Sequence, residues 1–170
     1  MLSIGCIIQA RLGSTRLPKK VLENIDDKHT MIEFVLKQLE FSKKIDRIVV
    51  ATTNLKEDDT IVELLKKEKI SVFRGETLDV LDRYYHCAKQ FKFDIIVRIG
   101  ADCPLIEPYV IDDMIGEFCH GGVDYLSNHN PRTYPYGMDV EIFSFFALEK
   151  AWKNASLTSE RVHVSPYIYN

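Results

Sequence analysis

The chain has 170 residues, 46% of them hydrophobic, so it is long enough to bury the core of one domain. A formal net charge of -3 argues against broad nucleic-acid binding, because such surfaces carry an excess of basic residues. Four cysteines without CxxC spacing disfavour a secreted disulfide scaffold, and no apolar run reaches membrane-spanning length. We therefore expect a single cytoplasmic domain over residues 1–170, without nucleic-acid or membrane partners.

Strand-like and helical segments alternate along most of the chain. Strands are predicted at residues 3–9, 47–52, 71–73 and 95–99, and the helices between them at 31–41, 58–67 and 80–91. Further on, a helix is predicted at 109–119 behind Pro108, then a polar loop at 127–136, a strand at 138–143 and a helix at 147–155. This alternation predicts an α/β fold with a parallel sheet flanked by helices.

A basic loop, QARLGSTRLPKKVL at residues 9–22, follows the first predicted strand directly. Backbone N–H groups at the carboxyl end of a buried strand form an anion site when cationic side chains lie beside them. The loop has neither P-loop nor GxGxxG spacing, and Gly13 is its only glycine. The side chains of Arg11, Arg16, Lys19 and Lys20 must therefore carry more of the charge neutralisation. A solvated basic loop is the alternative, but the preceding strand favours a nucleotide triphosphate site.

A second candidate site is the segment RIGADCPLIEP at residues 98–108, where a Val/Ile-rich strand ends at Gly100 and is followed by Asp102. Ligands bind at the carboxyl edge of open α/β sheets. One carboxylate there is sufficient for Mg²⁺ when phosphate oxygens and water supply the other ligands. Asp102 is thus the metal candidate, and the alternative is an aspartate that caps its own turn before Pro104.

Two carboxylates, Asp139 and Glu141, are spaced to leave the same face of the strand predicted within GMDVEIF. They are candidates for contacting a sugar or a metal, although one polar face of a half-exposed strand explains the same pattern. Arg161 and His163 are candidates for contacting an acidic substrate, but a lone histidine in such a segment is more often structural.

The start of the third predicted helix, after FRG, carries another group of polar residues. Gly75, Asp79, Asp82 and Arg83 surround this start, where backbone groups and a helix N-terminus can contact a base or ribose. A helix-capping role for Thr77 or Asp79 explains much of the same pattern.

In this order, the blocks QARLGSTRLPKKVL, VFRGETLDVLDRYY, RIGADCPLIEP and GMDVEIFSFFALEKAWKNA resemble the SpsF-type cytidylyltransferases of spore coat polysaccharide biosynthesis. These enzymes are related to the CMP-Kdo and acylneuraminate cytidylyltransferases. The resemblance implies a Rossmann-like nucleotide-diphospho-sugar transferase fold of the GT-A kind with a mostly parallel central sheet. It also implies the use of CTP and Mg²⁺ to make a CMP-activated sugar, from a sugar or a sugar acid or phosphate, in a possible homodimer.

The resemblance also implies residue roles. Arg11, Arg16 and Lys20 would be catalytic and, with Ser14, would hold the triphosphate. Gly75 and Asp79 would lie near the base, Arg98 near the ribose, and Asp102 would bind the metal. The remaining implied nucleotide-binding residues are Gln9, Ala10, Gly13 and Thr52, and the implied substrate-binding residues are Asp139, Glu141, Arg161 and His163.

Three features depart from the family pattern. Lys19 replaces the glycine of LPGK, and Val162 replaces the glutamate of REHVTPY. The chain also ends before a VDTPEDL-like segment whose aspartate resembles a second metal ligand, so we expect a domain that lacks the family's C-terminal segment. A naturally short product, a truncated form, and substitution of the missing carboxylate by Asp139 all remain open.

The expected reaction is in-line attack of a sugar hydroxyl or phosphate on the α-phosphorus of CTP, with pyrophosphate leaving. One alternative is a GT-A glycosyltransferase that uses a finished nucleotide-sugar, and this enzyme would release no pyrophosphate. Another alternative is a non-catalytic nucleotide-binding protein, which the short C-terminus favours.

Overall fold

A computed structural model of the protein describes residues 2–14 and 17–170. Its centre is a six-stranded sheet with the order β3-β2-β1-β4-β6-β5. The strands are β1 (Ile4–Gln9), β2 (Arg47–Thr53), β3 (Ser71–Gly75), β4 (Ile95–Gly100), β5 (Tyr125–Ser127) and β6 (Glu141–Ser144). Strands β1 to β4 run parallel, whereas β6 pairs antiparallel with both β4 and β5. The prediction of a mostly parallel central sheet is confirmed.

Helices cover both faces of the sheet. They are α1 (Met31–Leu39), α2 (Asp59–Lys67), α3 (Val80–Phe91), α4 (Pro108–Gly121), α5 (Phe145–Asn154), α6 (Thr158–His163) and α7 (Pro166–Tyr169), with short 3₁₀ turns at Lys20–Leu22 and Lys56–Asp58. Cys6 and Ile8 of β1 pack in one apolar cluster with α1, α2 and α4, whereas Ile7 packs in another with α3 and α5. This division follows from the alternation of side chains along a strand.

The predicted elements of the first four β-α units agree with the structure to within a few residues. The sequence did not predict β5, α6 or α7. The last predicted strand begins at Glu141 rather than at residue 138, so the expectation that Asp139 and Glu141 share one polar strand face is wrong. Glu141 is buried because β6 lies between β4 and β5, and Asp139 belongs to the segment that precedes the strand.

The starts of α3 and α4 follow the capping signals in the sequence. Asp79 caps α3, where its Oδ1 accepts a hydrogen bond of 2.9 Å from the Asp82 N–H, so the capping interpretation of Asp79 is confirmed. Pro108 is the first residue of α4, and the preceding Glu107 accepts from the Tyr109 N–H at 3.3 Å. Within the described ranges, no helix has the length and apolar character needed to cross a membrane.

Gly5 on β1 is required by close packing. A Cβ atom at this position would lie 2.2 Å from the ring of Phe93, which is itself buried.

We predict that Gly5→Ala lowers the free energy of unfolding by about 1–3 kcal/mol, as overpacking of a core typically does. Urea denaturation measures this change. Gly121→Ala is the matched control, because its nearest neighbour would be 3.8 Å away and its stability should stay within about 0.5 kcal/mol. Equal stabilities of the two variants would contradict the prediction.

Candidate active site

A cavity of about 280 Å³ opens at the carboxyl edge of the sheet, beside the ends of β1 and β4. The parallel register pairs Gln9 with Gly100, so the segments that follow these two strands lie next to each other. The cavity is lined by Gln9, Ala10, Arg11, Ser14, Lys20, Val21, Val80, Arg83, Arg98, Ala101, Asp102, Val162 and His163. The two segments singled out in the sequence, the basic loop and the segment containing Asp102, therefore meet in one place.

A buried carboxylate, Asp58, anchors the basic loop. Its Oδ1 accepts a hydrogen bond of 2.8 Å from the Leu12 N–H, and its Oδ2 accepts from the Thr53 hydroxyl. The Lys19 N–H in turn donates to the Leu12 carbonyl at 3.0 Å, which closes the loop on itself. The backbone on both sides of the Gly-Ser turn is thus fixed. Arg16, a predicted catalytic residue, lies outside the described residues.

Lys20 and Asp102 form an ion pair across the cavity. Both were predicted from the sequence, Lys20 as a phosphate ligand and Asp102 as the metal ligand, and the structure brings them into direct contact. Their side chains are 26% and 43% exposed, so both remain accessible to a ligand that enters the cavity. In this arrangement each charge neutralises the other.

Arg83 of α3 is the most unusual cation of the site. Its residue exposure is 2%, and its Nε and Nη1 atoms have no hydrogen-bond partner in the part of the chain that the structure describes. Burial lowers the pKa of its guanidinium and the positive charge of Arg11 acts in the same direction, whereas Tyr84 and the carboxylates of Asp58 and Asp79 oppose this shift. A buried guanidinium with unpaired N–H groups is costly, so this side chain is suited to receive an anion from the cavity.

Arg98 of β4 is a partly buried cation that differs from Arg83 in having a carboxylate partner, although its Nε has no hydrogen-bond partner among the described residues. Its Nη1 donates to the Glu141 carboxylate, its Nη2 donates to Gln9 Oε1 at 3.1 Å, and its guanidinium lies over the Tyr84 ring. Burial is the largest influence and would lower the pKa of Arg98, but Glu141 and Tyr84 together outweigh it and raise the pKa. Burial would likewise raise the pKa of Glu141, but hydrogen bonds and the charge of Arg98 lower it to about 2.

A second cavity, of about 400 Å³, adjoins the first and shares Arg98 and His163 with it. Its other lining residues are His129, Asn130, Glu141, Ser165, Pro166 and Tyr169. The predicted substrate residue Glu141 therefore lies at this second cavity, and His163 lines both.

The other predicted site residues lie away from the first cavity. Gly13 lines a neighbouring cavity of about 520 Å³ that shares Ser14 with the first. Thr52 is buried in β2, and Gly75 ends β3 where a Cβ would lie 3.1 Å from Arg83 Cγ. Asp79 and Arg161 contact each other, since Arg161 Nε donates to Asp79 Oδ2 at 2.8 Å. Asp139 accepts from Arg132 Nη1 at 2.6 Å. Arg161 and Asp139, which the sequence predicts to contact the substrate, are thus each engaged in an internal ion pair in this structure.

Several lining residues were not among the predicted ligands. Arg83 was considered only as part of the helix start, and His129 was regarded as part of a polar loop. The signal for Arg83 is its position four residues after the Asp79 cap, on the helix face that packs towards β1 and the cavity. No sequence signal identifies His129, because its contact with Glu141 depends on how the connection between β5 and β6 folds.

The chemistry of the site fits phosphate binding better than a metal cage. Among the described residues, no group of three or more His, Cys, Asp or Glu side chains is placed to hold a metal ion. Asp102 supplies one hard oxygen ligand at the cavity edge, which is sufficient for Mg²⁺ only when phosphate oxygens and water complete the coordination.

The fold and the site define an α/β protein with a cationic cavity suited to a polyphosphate. Residues 5–170 match the cytidylyltransferase family, and the chain belongs to that family. It is 47% identical over 163 residues to an uncharacterized protein of Methanocaldococcus jannaschii, covering 96% of this chain and 65% of that protein. It is 32% identical over 168 residues to the spore coat polysaccharide biosynthesis protein SpsF of Bacillus subtilis, covering 96% of this chain and 69% of SpsF. The chain thus spans about two thirds of each relative's length.

Solved structures agree with this assignment. A cytidylyltransferase from Leptospira borgpetersenii superimposes with a TM-score of 0.93 at 42% identity, covering 99% of this chain and 71% of the other. A CMP-2-keto-3-deoxy-manno-octonic acid synthetase solved with CTP gives a TM-score of 0.73 at 16% identity, covering 98% and 84%. The second likeness shows the shared fold, and it confirms the predicted Rossmann-like nucleotidyltransferase architecture.

Arg83 and Arg98 lead to opposite predictions for stability. Arg83→Met removes a buried guanidinium whose Nε and Nη1 have no hydrogen-bond partner among the described residues, so we predict that the free energy of unfolding rises by about 1–3 kcal/mol. Arg98→Met is the comparison and should lower it by about 3 kcal/mol, because it leaves the buried Glu141 carboxylate without its cation. Urea denaturation without nucleotide measures both. If Arg83→Met were as destabilising as Arg98→Met, the conclusion that the unpaired Arg83 guanidinium costs stability would be wrong.

Proposed function

We propose that this protein uses CTP to form a CMP-activated sugar and releases pyrophosphate. The observation that carries the proposal is the cavity in which Arg11, Lys20 and Arg83 converge at the carboxyl edge of the sheet, with two Arg83 nitrogens unpaired among the described residues. A triphosphate supplies the negative charge that this cavity lacks. Membership of the cytidylyltransferase family and the CTP bound by the related synthetase support cytidine triphosphate as the nucleotide.

In the proposed complex the basic loop holds the triphosphate. Arg11, Ser14 and Lys20 contact phosphate oxygens, and Arg83 approaches from the opposite wall, formed by α3. Arg98 lies near the ribose, held in place by Gln9 and Glu141. Gly75 and the start of α3 border the base. Asp79 contributes to this region by positioning α3, because its carboxylate oxygens are already bonded to Asp82 and Arg161.

The proposed reaction is in-line displacement at the α-phosphorus by an oxygen of the acceptor sugar. The new bond forms between that oxygen and phosphorus, and the bond to the departing pyrophosphate breaks. Arg11, Lys20 and Arg83 stabilise the charge that develops on pyrophosphate, so the protein acts by positioning and electrostatics without a side-chain nucleophile. Asp102 would hold Mg²⁺, which when bound supplies further positive charge to the phosphates.

The proposed product belongs to the biosynthesis of a surface or spore coat polysaccharide. SpsF, which is named for spore coat polysaccharide biosynthesis, aligns with 96% of this chain and motivates that pathway. The acceptor is proposed to be a sugar, a sugar acid or a sugar phosphate.

Thermal unfolding with different nucleotides tests the proposal most directly. We predict that CTP with Mg²⁺ raises the unfolding temperature, because a ligand that binds only the folded state stabilises it. ATP, GTP and UTP at the same concentration should produce smaller shifts. Any sugar that then supports pyrophosphate release identifies the acceptor, whereas a glycosyltransferase would bind a nucleotide-sugar and release no pyrophosphate. Absence of a shift with every nucleotide would contradict the proposal.

Two substitutions test the assigned roles. Lys20→Ala should weaken CTP binding by about 10- to 100-fold, as expected for loss of a hydrogen bond to a charged group. Lys20→Ala and Asp102→Asn should each reduce pyrophosphate release by about 100-fold. Lys37→Ala and Asp113→Asn are matched controls, because these residues are exposed on α1 and α4. Normal turnover of CTP by either active-site variant would show that its residue has no such role.

A further inference from the structure

The second cavity is placed where an acceptor must lie if the first holds a nucleotide. The two cavities share Arg98 and His163, so a molecule in one borders a molecule in the other. Arg98 forms part of the dividing wall. One of its nitrogens contacts Gln9 on the side of the first cavity, and another contacts Glu141 on the side of the second. The boundary between the cavities is therefore fixed by a side chain with partners on both sides.

Glu141 lines the second cavity, but its carboxylate is committed to internal contacts. Its residue exposure is 2%. Oε2 accepts from Arg98, and Oε1 accepts from the Tyr125 hydroxyl at 2.7 Å and lies 3.7 Å from His129 Nε2. Glu141 therefore acts as a buried counter-ion for Arg98 and His129. It is poorly placed to be the main ligand of a substrate.

His129 is a polar lining residue of the second cavity whose side chain is partly exposed. Its side chain is 26% exposed, and its Nε2 is the ring nitrogen nearest to Glu141. The other ring nitrogen, Nδ1, forms no hydrogen bond within the described part of the chain. An imidazole whose one nitrogen faces a buried carboxylate is oriented by it, and the other nitrogen is then available to a ligand.

The charges around His129 favour its protonated form. The nearby Glu141 carboxylate raises the pKa of His129, and the charge of Asp139 supports this shift. Burial and the charge of Arg98 oppose it. Asp139 is itself paired with Arg132, and His163 faces the same cavity from α6. With Glu141 matched by Arg98, a protonated His129 leaves a net positive charge in the second cavity.

Building on the proposed function, we propose that the second cavity is the acceptor pocket and that His129 determines its specificity by donating from Nδ1 to an anionic group of the acceptor. A carboxylate and a phosphate ester share the required chemistry, since each presents negatively charged oxygens to an imidazolium. The acceptor is then a sugar acid or a sugar phosphate rather than a neutral sugar.

NMR of the full chain with labelled histidine tests the proposal in the presence of CTP and Mg²⁺. The probes are glucuronate for a carboxylate, glucose 1-phosphate for a phosphate ester, and glucose as the neutral comparison. We expect glucuronate or glucose 1-phosphate, but not glucose, to shift the His129 ring resonances. Whichever anionic sugar does so identifies the anionic group. Equal shifts with glucose, or no shift at His129 with either anionic sugar, would overturn the proposal.

Substitution of His129 distinguishes a role in binding the anionic sugar from a purely structural role. His129→Gln should weaken binding of the anionic sugar by about 10- to 100-fold while leaving its weak binding of glucose unchanged. His120→Gln, on the exposed end of α4, is the matched control and should bind like the original protein. If His129→Gln bound the anionic sugar as tightly as the control did, the inference would be wrong.

The pH dependence gives a second readout. Because the pKa of His129 is raised, the imidazolium persists to higher pH than that of an ordinary histidine, and anionic sugar binding should weaken as the pH rises through the raised pKa. The His129→Gln protein should not show this change. A pH profile shared by both proteins would contradict the assignment.

A second sample of the full chain, labelled at every residue type rather than at histidine alone, reports on the nucleotide site independently through the backbone amide resonances of Arg11, Ser14 and Lys20. If CTP shifts these resonances and neither anionic sugar shifts His129, only the acceptor inference fails. If CTP shifts none of them, the proposed function fails.

Discussion

The parallel pairing of β1 with β4 is the constraint on which the site depends. The register places Gln9 of β1 opposite Gly100 of β4, and the segments that follow these two strands leave the sheet at the same edge. The basic loop and the Asp102 segment come from distant parts of the sequence, yet this pairing makes them neighbours. The Ala101 N–H continues the ladder by donating to the Gln9 carbonyl at 3.2 Å. A slip in register would move Lys20 away from Asp102 and would separate the two walls of the cavity.

Two arginines, Arg83 and Arg98, have different roles at this edge of the sheet. Arg98 has a carboxylate, an amide oxygen and an aromatic face as partners, so it is a fixed structural cation that separates the two cavities. Arg83 has no such set among the described residues, and its charge is left to interact with whatever enters the first cavity. The fold tolerates the cost of burying Arg83 because the remainder of α3 packs well, with Leu81, Tyr84 and Ala88 all fully buried. Stability and ligand binding therefore place opposite demands on this residue.

Sequence reasoning identified the parts of the site that lie next to strand ends. Arg11, Ser14, Lys20 and Asp102 follow apolar runs directly, and in a parallel sheet this position alone predicts a ligand site. The contacts that it did not predict join residues over long sequence separations. Arg161 meets Asp79 across 82 positions, and Glu141 meets Arg98 across 43. No local pattern encodes these pairs, because they depend on the antiparallel insertion of β6 and on the docking of α6.

The docking of α6 explains why residues near the end of the chain line both cavities. Arg161 Nε and Nη1 bond to Asp79 and to the Trp152 carbonyl, and the Trp152 indole N–H donates to Asp82 at 2.8 Å. Both aspartates belong to the start of α3, so α5 and α6 are attached to the same helix end that carries Arg83. Val162 and His163 follow Arg161 directly and are thereby held over the cavities. The start of α3 thus positions both Arg83 in one wall and the segment of Val162 and His163 that covers the cavities. This shared attachment couples the shape of the proposed nucleotide pocket to that of the proposed acceptor pocket.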